Sequence, residues 1–331
     1  MKPSSPLRRS LLATACVVAA INSHTAAAQE KDNYPSKPVT LVVPFTPGGS
    51  NDVIARVVGQ RLSQIWQQPV VVDNKAGAAG SIGTDHVAKA PADGYKLLIT
   101  NNNTMSINPV LLPNTPYAVS RDFAQVTQLG VVPVVLVVNA NVKASTVKEL
   151  IDLAKSAPDK LSYASSGSGS PQHLSAELFK SMTGTDIVHV PYKGAAPAIT
   201  DLLAGQVEMQ FGAINSLLPH IRTGKLRALA VGGTRRAGLL ADVPTIAEAG
   251  LRGYDSEIWL GLAAPAGTPA AIIRRISTDV AKVLAEPAVK EKLAEQGIEA
   301  HPSTPQEMTR LVEKDTERWA NVIKSAGIKA D

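Results

Sequence analysis

Short β-rich runs alternate with amphipathic stretches along the chain, beginning with Val39 to Phe45, then Asp52 to Trp66, then Pro69 to Asp73. Strand, helix and strand in this order predict parallel α/β sheets. In the first amphipathic stretch Val53, Ile54, Val57, Val58, Leu62, Ile65 and Trp66 recur at helical spacing, with Asp52, Arg56, Gln60 and Gln64 between them. One face of that helix is expected on a sheet. Further strands are expected at Tyr95 to Thr100, Val131 to Asn139, Leu161 to Ser165, Ile187 to Tyr192, Val207 to Phe211, Leu226 to Val231 and Trp259 to Ala264. The C-terminal stretch reads as helical. There Thr268-Pro269 and Thr304-Pro305 each fit an N-cap followed by proline at the first helical position, and Glu307 completes a capping box with Thr304.

The N-terminus changes the picture. Lys2, Arg8 and Arg9 precede an apolar run of 11 residues from Leu11 to Ile21, and the small residues Thr25 to Ala28 follow. This is the layout of a cleavable secretory signal over residues 1–28, with cleavage expected after Ala28 and a soluble periplasmic product. A membrane-spanning helix needs about 20 apolar residues. Cys16, the only cysteine, lies inside the run. Lipidation there fits poorly, because Ala13 stands where lipoprotein signals carry a large aliphatic residue. Removing the signal takes the formal charge from +5 to +2, so neither nucleic acid nor a charged membrane surface is implied as a partner. The remaining 303 residues are at the size where one core splits into two lobes.

No internal repeat or flexible linker separates those lobes, so they are expected to share strands. Val131 to Val138 and Leu226 to Val231 are the expected crossing segments. The first lobe would then comprise residues 29–129 and 233–331, the second residues 130–232, with a cleft between them.

Three glycine-rich turns follow strands and open helices. Pro44 to Asp52 contains Phe45, Thr46, Pro47, Gly48, Gly49 and Asp52; Asn74 to Gly83 contains Gly77, Ala78, Ala79 and Gly80. Their glycines free backbone amides, and a helix N-terminus favours an anion without any lysine or arginine. Turns after successive parallel strands face one sheet edge, where ligands of open α/β sheets collect. The third turn, Ser165, Ser166, Gly167, Ser168, Gly169 and Ser170, belongs to the presumptive second lobe and leads to His173. Small hydroxyls and free amides there suit a ligand's second polar end. Ordinary strand-to-helix turns have similar composition, with Ser50 and Asp52 as simple caps. Tyr192 or Lys193 after one strand, and Asn215 or Ser216 after Phe211, are further rim candidates, and Phe45, Tyr192 and Trp259 could build an apolar wall.

Enzyme templates do not fit. Gly77, Gly80 and Gly83 lack the dinucleotide spacing, Gly224-Lys225 lacks the phosphate-loop glycine, and the serine-glycine turn is no nucleophile elbow. His86, His173, His189, His220 and His301 show no helical zinc spacing. Neither a metal nor a cofactor is expected, and the chain reads as a non-enzyme.

These segments, together with Ala90 to Tyr95, Val190 to Gly194, Leu226 to Val231, Asp242 to Thr245 and Ala264 to Pro269, resemble the Bug-type solute receptors of the tripartite tricarboxylate transporter family. The resemblance implies a two-lobed Venus-flytrap fold that closes over organic acids, acidic amino acids or aromatic carboxylates and delivers them to integral membrane transporter subunits. It implies that Phe45 to Gly49 and Gly77 to Gly80 hold a carboxylate through backbone groups and waters. It also implies that Ser165 to Ser170, His173 and the region after Phe211 vary with the ligand. Relatives often carry an acid where this chain has Gly212, which disfavours an amino-acid ligand. Three readings stand: an uptake receptor acting as a monomer, a sensor for a membrane signalling partner, and an exported hydrolase.

Overall fold

The computed structural model describes residues 34–158 and 160–329; the expected signal and its cleavage point lie outside the described residues. The first half-lobe runs β1 (Val39–Val43), α1 (Ser50–Trp66), β2 (Val70–Asn74), α2 (Ser81–Ala88) and β3 (Lys96–Asn101). A π-turn over Asn103–Ile107 and the short α3 (Asn108–Leu111) and α4 (Val119–Asp122) lead into β4 (Phe123–Asn139). The chain continues through α5 (Val147–Ser156), β5 (Ser162–Ser165), α6 (Pro171–Thr183), β6 (Val188–Pro191), α7 (Ala195–Ala204), β7 (Met209–Ala213), α8 (Ile214–Arg222) and β8 (Leu226–Val231). It closes with β9 (Glu257–Pro265), α9 (Ala270–Ala285), α10 (Pro287–Glu295), β10 (Glu299–Ala300) and α11 (Pro305–Ala326).

The result is a two-lobed α/β fold. In the first lobe β2, β1 and β3 are parallel, β9 adds antiparallel to β3, and β4 in turn adds antiparallel to β9. In the second, β6, β5 and β7 are parallel, and β4 again adds antiparallel. Among the named strands, parallel pairing is thus confined to the three outer strands of each lobe. The 17-residue β4 serves both sheets, pairing with β9 up to Pro133 and with β7 from Val134. Its run of valines is buried throughout, as a strand covered on both faces requires.

Two crossing details depart from the sequence expectation. β8 pairs with β4 only at Val135 to Asn139 and stays in the second lobe. Residues 233–256 remain with that lobe as well, because Ile246 and Tyr254 lie in its core beside Phe211. The return crossing comes at Ser256–Glu257, where the Ser256 amide donates to the Gly232 carbonyl at 2.8 Å. A Cβ on Gly232 would sit 2.5 Å from the Ser256 carbonyl oxygen, so glycine lets the two passes touch. The C-terminal end also spans both lobes: Trp319, Val322 and Ile323 of α11 pack with Ile107 and with Leu174 of α6.

α1 buries Ile54, Val57, Val58, Leu62 and Trp66, while Ile65 of the expected stripe is exposed. The Trp66 ring nitrogen donates to Asp279 of α9 at 2.9 Å. The capping box on α11 forms, with Thr304 Oγ1 accepting the Glu307 amide and Glu307 accepting the Thr304 amide at 2.8 Å. Before α9 the cap differs from expectation. Pro269 is the N-cap, and the buried Thr268 hydroxyl is spent on the Pro265 carbonyl at 2.7 Å.

Candidate functional site

A cavity of about 680 Å³ lies between the lobes. Its first-lobe wall comes from the turns after β1, β2 and β3: Phe45, Gly48, Gly49, Ser50, Asn51, Ala79, Asn101, Asn103, Asn108, Leu111 and Leu112. The second-lobe wall comes from the turns after β5 and β7: Ser166, Gly167, Ser168, Gly169, Ser170, Pro171, Gln172, Ala213, Asn215 and Ser216. Ile258 of β9 also lines the space. Among these residues none carries an ionisable side chain. Polarity is supplied by hydroxyls, carboxamides and backbone amides. The N-termini of α1, α6 and α8 all border the space, and helix N-termini favour anions.

The loop after β1 is braced from behind. Asp52 is buried and accepts the Gly48 amide at 3.0 Å, Arg56 Nε at 2.9 Å and Asn74 Nδ2 at 3.0 Å. Burial works to raise its carboxyl, but the bonds from Arg56, Gly48 and Asn74 outweigh burial and hold it below the usual range. Asn74 Nδ2 also donates to the Phe45 carbonyl at 3.1 Å. α1 itself has no side-chain cap at Gly49, so neither Ser50 nor Asp52 occupies its first amides. That differs from the capping alternative, and it leaves the helix end facing the cavity.

The loop after β2 holds Ala78 and Ala79 in left-handed conformations, φ 45° and 51°. Asn103 Nδ2 and Asn108 Nδ2 each donate to the Ala79 carbonyl at 2.9 Å. Asn101 Nδ2 donates to Asn51 Oδ1 at 3.2 Å, and Asn51 returns a bond to the Thr100 carbonyl at 3.3 Å. A lattice of carboxamides therefore fixes three first-lobe loops to one another.

Of the residues expected at the site, Phe45, Gly48, Gly49, Ala79, Ser166, Gly167, Ser168, Ser170 and Asn215 line the cavity. Ser170 also caps α6 by accepting the His173 amide at 3.3 Å. Thr46, Pro47, Gly77 and Ala78 are exposed beside it but do not line it. Asp52 stands behind its loop. Gly80 is buried beneath Phe45, where a Cβ would lie 3.1 Å from the ring. Ser165 is fully buried with its Oγ 2.7 Å from His189 Nε2. His173 is buried behind the serine-glycine turn, with Nδ1 accepting the Gly169 amide at 3.0 Å. Tyr192 turns away and donates to Asp201 at 2.7 Å, and Lys193 is not part of the lining. Trp259 sits in the first-lobe core with its ring nitrogen on Asp315, so the apolar wall is Phe45, Leu111, Leu112 and Ile258 instead.

Sequence reasoning missed Asn101, Asn103 and Asn108. The signal was present: three consecutive asparagines, Asn101 to Asn103, directly follow a strand at the sheet edge already carrying two turns. Leu111 and Ile258 carried no local signal. Among the described residues, no group of three or more histidine, cysteine, aspartate or glutamate side chains is placed to hold a metal ion.

A family model described as tripartite tricarboxylate transporter family receptor matches residues 54–328. Protein BugT of Bordetella pertussis is 40% identical over 305 residues, covering 92% of this chain and 94% of that protein. Among solved structures, an R. palustris protein with adipate superposes with TM-score 0.79 at 40% identity, covering 89% of this chain and 99% of the other. MatC from Rhodopseudomonas palustris, solved with bound malate, gives 0.74 at 31% identity, covering 88% and 100%.

Proposed function

The chain belongs to the receptor family of the tripartite tricarboxylate transporters, and from that premise we propose that it captures a small carboxylate outside the cytoplasmic membrane. The observation that carries the reading is the interlobe cavity, polar on both walls yet free of ionisable side chains. A carboxylate there receives hydrogen bonds from amides, hydroxyls and carboxamides, and partial positive charge from helix ends. No acidic group lines the space to pair with an ammonium, so an amino-acid ligand is disfavoured. The adipate and malate held by two similar proteins support the same chemical class.

Capture proceeds by closure about β4 and the Ser256–Glu257 crossing. A ligand touching both walls gains contacts only when the lobes approach, which shifts an open–closed equilibrium. An affinity near 1 μM requires about −8 kcal/mol, within reach of several charge-assisted hydrogen bonds. The closed monomer then passes its ligand to integral membrane transporter subunits.

A thermal-shift screen of the mature protein against small carboxylates, adipate and malate among them, tests the reading. A native-state ligand raises the melting temperature by mass action. No shift with any member, in folded protein free of carried-over ligand, would remove carboxylate capture.

A further inference from the structure

The second-lobe turn is held in shape by two histidines that stand behind it. His173 Nδ1 accepts the Gly169 amide at 3.0 Å, and His189 Nε2 lies 2.7 Å from Ser165 Oγ. Ser165 Oγ in turn accepts the Gly167 amide at 3.2 Å. The two imidazoles stack with centroids 3.9 Å apart and planes 11° from parallel, and His189 stacks on Tyr163 at 4.8 Å. Both ends of the turn that lines the cavity therefore rest on one aromatic stack.

The two supports respond differently to a proton. An imidazole nitrogen accepts a hydrogen bond only while unprotonated. A proton on His173 Nδ1 sets its N–H against the Gly169 N–H, and the bond is lost. A proton on His189 Nε2 is accommodated, because the Ser165 hydroxyl can instead donate to the Gly167 carbonyl at 3.2 Å. Two charged rings in van der Waals contact also repel. Around the stack, α6 contributes Glu177 and Lys180, which pair at 2.9 Å. Glu177 accepts the Tyr163 hydroxyl at 2.6 Å, and the Lys180 ammonium stands 5.8 Å from the Tyr163 ring. Glu208 binds Ser162 at the start of β5, and Asp201 of α7 takes the Tyr192 hydroxyl beyond β6.

We propose that His173 is a positioning residue for ligand capture: as a neutral acceptor it holds Gly169 and the serine-glycine turn in the shape that receives the ligand, and charging it lets the turn go. The inference rests on the interlobe cavity being the ligand site. Its sign follows from the acceptor role. Capture is strongest where His173 is neutral and weakens as acid places a proton on its Nδ1.

Two measurements test it on the full mature chain. The first follows the Gly169 amide resonance of unliganded, glycine-labelled protein from about pH 8 to about pH 5, across the imidazole range. A titrating shift with loss of exchange protection is expected, and an amide that stays unchanged would overturn the proposal. The second compares adipate affinity of the native chain with that of His173→Asn, whose Oδ1 offers an acceptor at the Nδ1 position and does not titrate. Taking the ratio at each pH cancels the ionisation of adipate. The native chain should lose about tenfold relative to the variant across that range, whereas a constant ratio counts against the proposal. His173→Phe, lacking the acceptor, should bind weakly at every pH. Failure of adipate to bind any of the three proteins would strike at the ligand reading alone, and the Gly169 resonance would still decide the role of His173.

Discussion

The buried Asp52 carboxylate accepts the Gly48 amide at 3.0 Å, so the first loop of the cavity wall is held by an acid that does not line the cavity. Asp52→Ala should therefore act on both stability and binding. Losing a buried acceptor with three partners costs about 1–3 kcal/mol of folding stability, and the freed loop should weaken ligand capture roughly tenfold. Because the Asp52 carboxyl is held below its usual range, its contribution is present at neutral pH and is lost as pH falls through the folded-state value, below about 4. Urea titrations of the native chain and variant should converge at acid pH; curves that stay equally far apart there would separate Asp52 from that linkage.

Gly80 and Gly48 both have φ of +89°, but only Gly80 is enclosed. A Cβ at Gly80 would meet Thr104 Cγ2 at 2.7 Å and Phe45 Cζ at 3.1 Å, while at Gly48 nothing lies within 4 Å. Gly80→Val should displace Phe45 from the cavity wall and cost about 1–3 kcal/mol through overpacking, in addition to backbone strain. Gly48→Ala should carry only the strain, about 1 kcal/mol. Melting temperatures and ligand titrations of the pair check the order, and equal losses would contradict it.

Glu257 opens β9 at the return crossing. Burial pushes its carboxyl up to about 7, with Asp255 and Glu299 adding to the rise and Arg235 and Arg318 opposing it. A carboxyl raised on folding keeps a proton that the unfolded chain releases, so stability is full below about pH 4 and falls as pH climbs toward 7. Glu257→Gln should remove that fall. The variant should gain roughly 2–3 kcal/mol at pH 8 and almost nothing at pH 4. Denaturation at the two pH values measures the difference, and a gain independent of pH would refute the linkage.

Much of the fold was legible because its signals are local. The apolar stripe from Ile54 to Trp66 and the valine run in β4 depend only on periodicity and length. The first-lobe turns were legible for the same reason, since glycine after a strand marks a backbone that must turn. The roles of Asp52, His173 and Tyr192 were not. Each is a polar side chain near a turn, and whether it faces the ligand or braces the turn depends on partners far away in sequence, such as Asn74 for Asp52 and Asp201 for Tyr192. Leu111 was hidden likewise: it meets Gly169 across the cleft, a contact that exists only once the lobes are placed.

Ala79 carries the clearest backbone strain in the site. Its φ of 51° lies in the left-handed region, and Asn103 and Asn108 hold its carbonyl from one side at 2.9 Å each. A left-handed conformation costs an L-residue about 1–2 kcal/mol, which glycine avoids. Glycine also gives the unfolded chain more freedom, a penalty of about 0.4–1 kcal/mol. The strain is the larger quantity, so Ala79→Gly should stabilise the protein by up to about 1 kcal/mol. Asn103→Ala should do the opposite, because it removes one of the two bonds that offset the strain and leaves the Ala79 carbonyl less well held. If the two carboxamides are what sustain the conformation, Asn103→Ala should cost less stability in the Ala79→Gly background than in the native one. A double-mutant cycle measured by urea denaturation reads that coupling directly, and strict additivity would show that the asparagines and the strained alanine act independently.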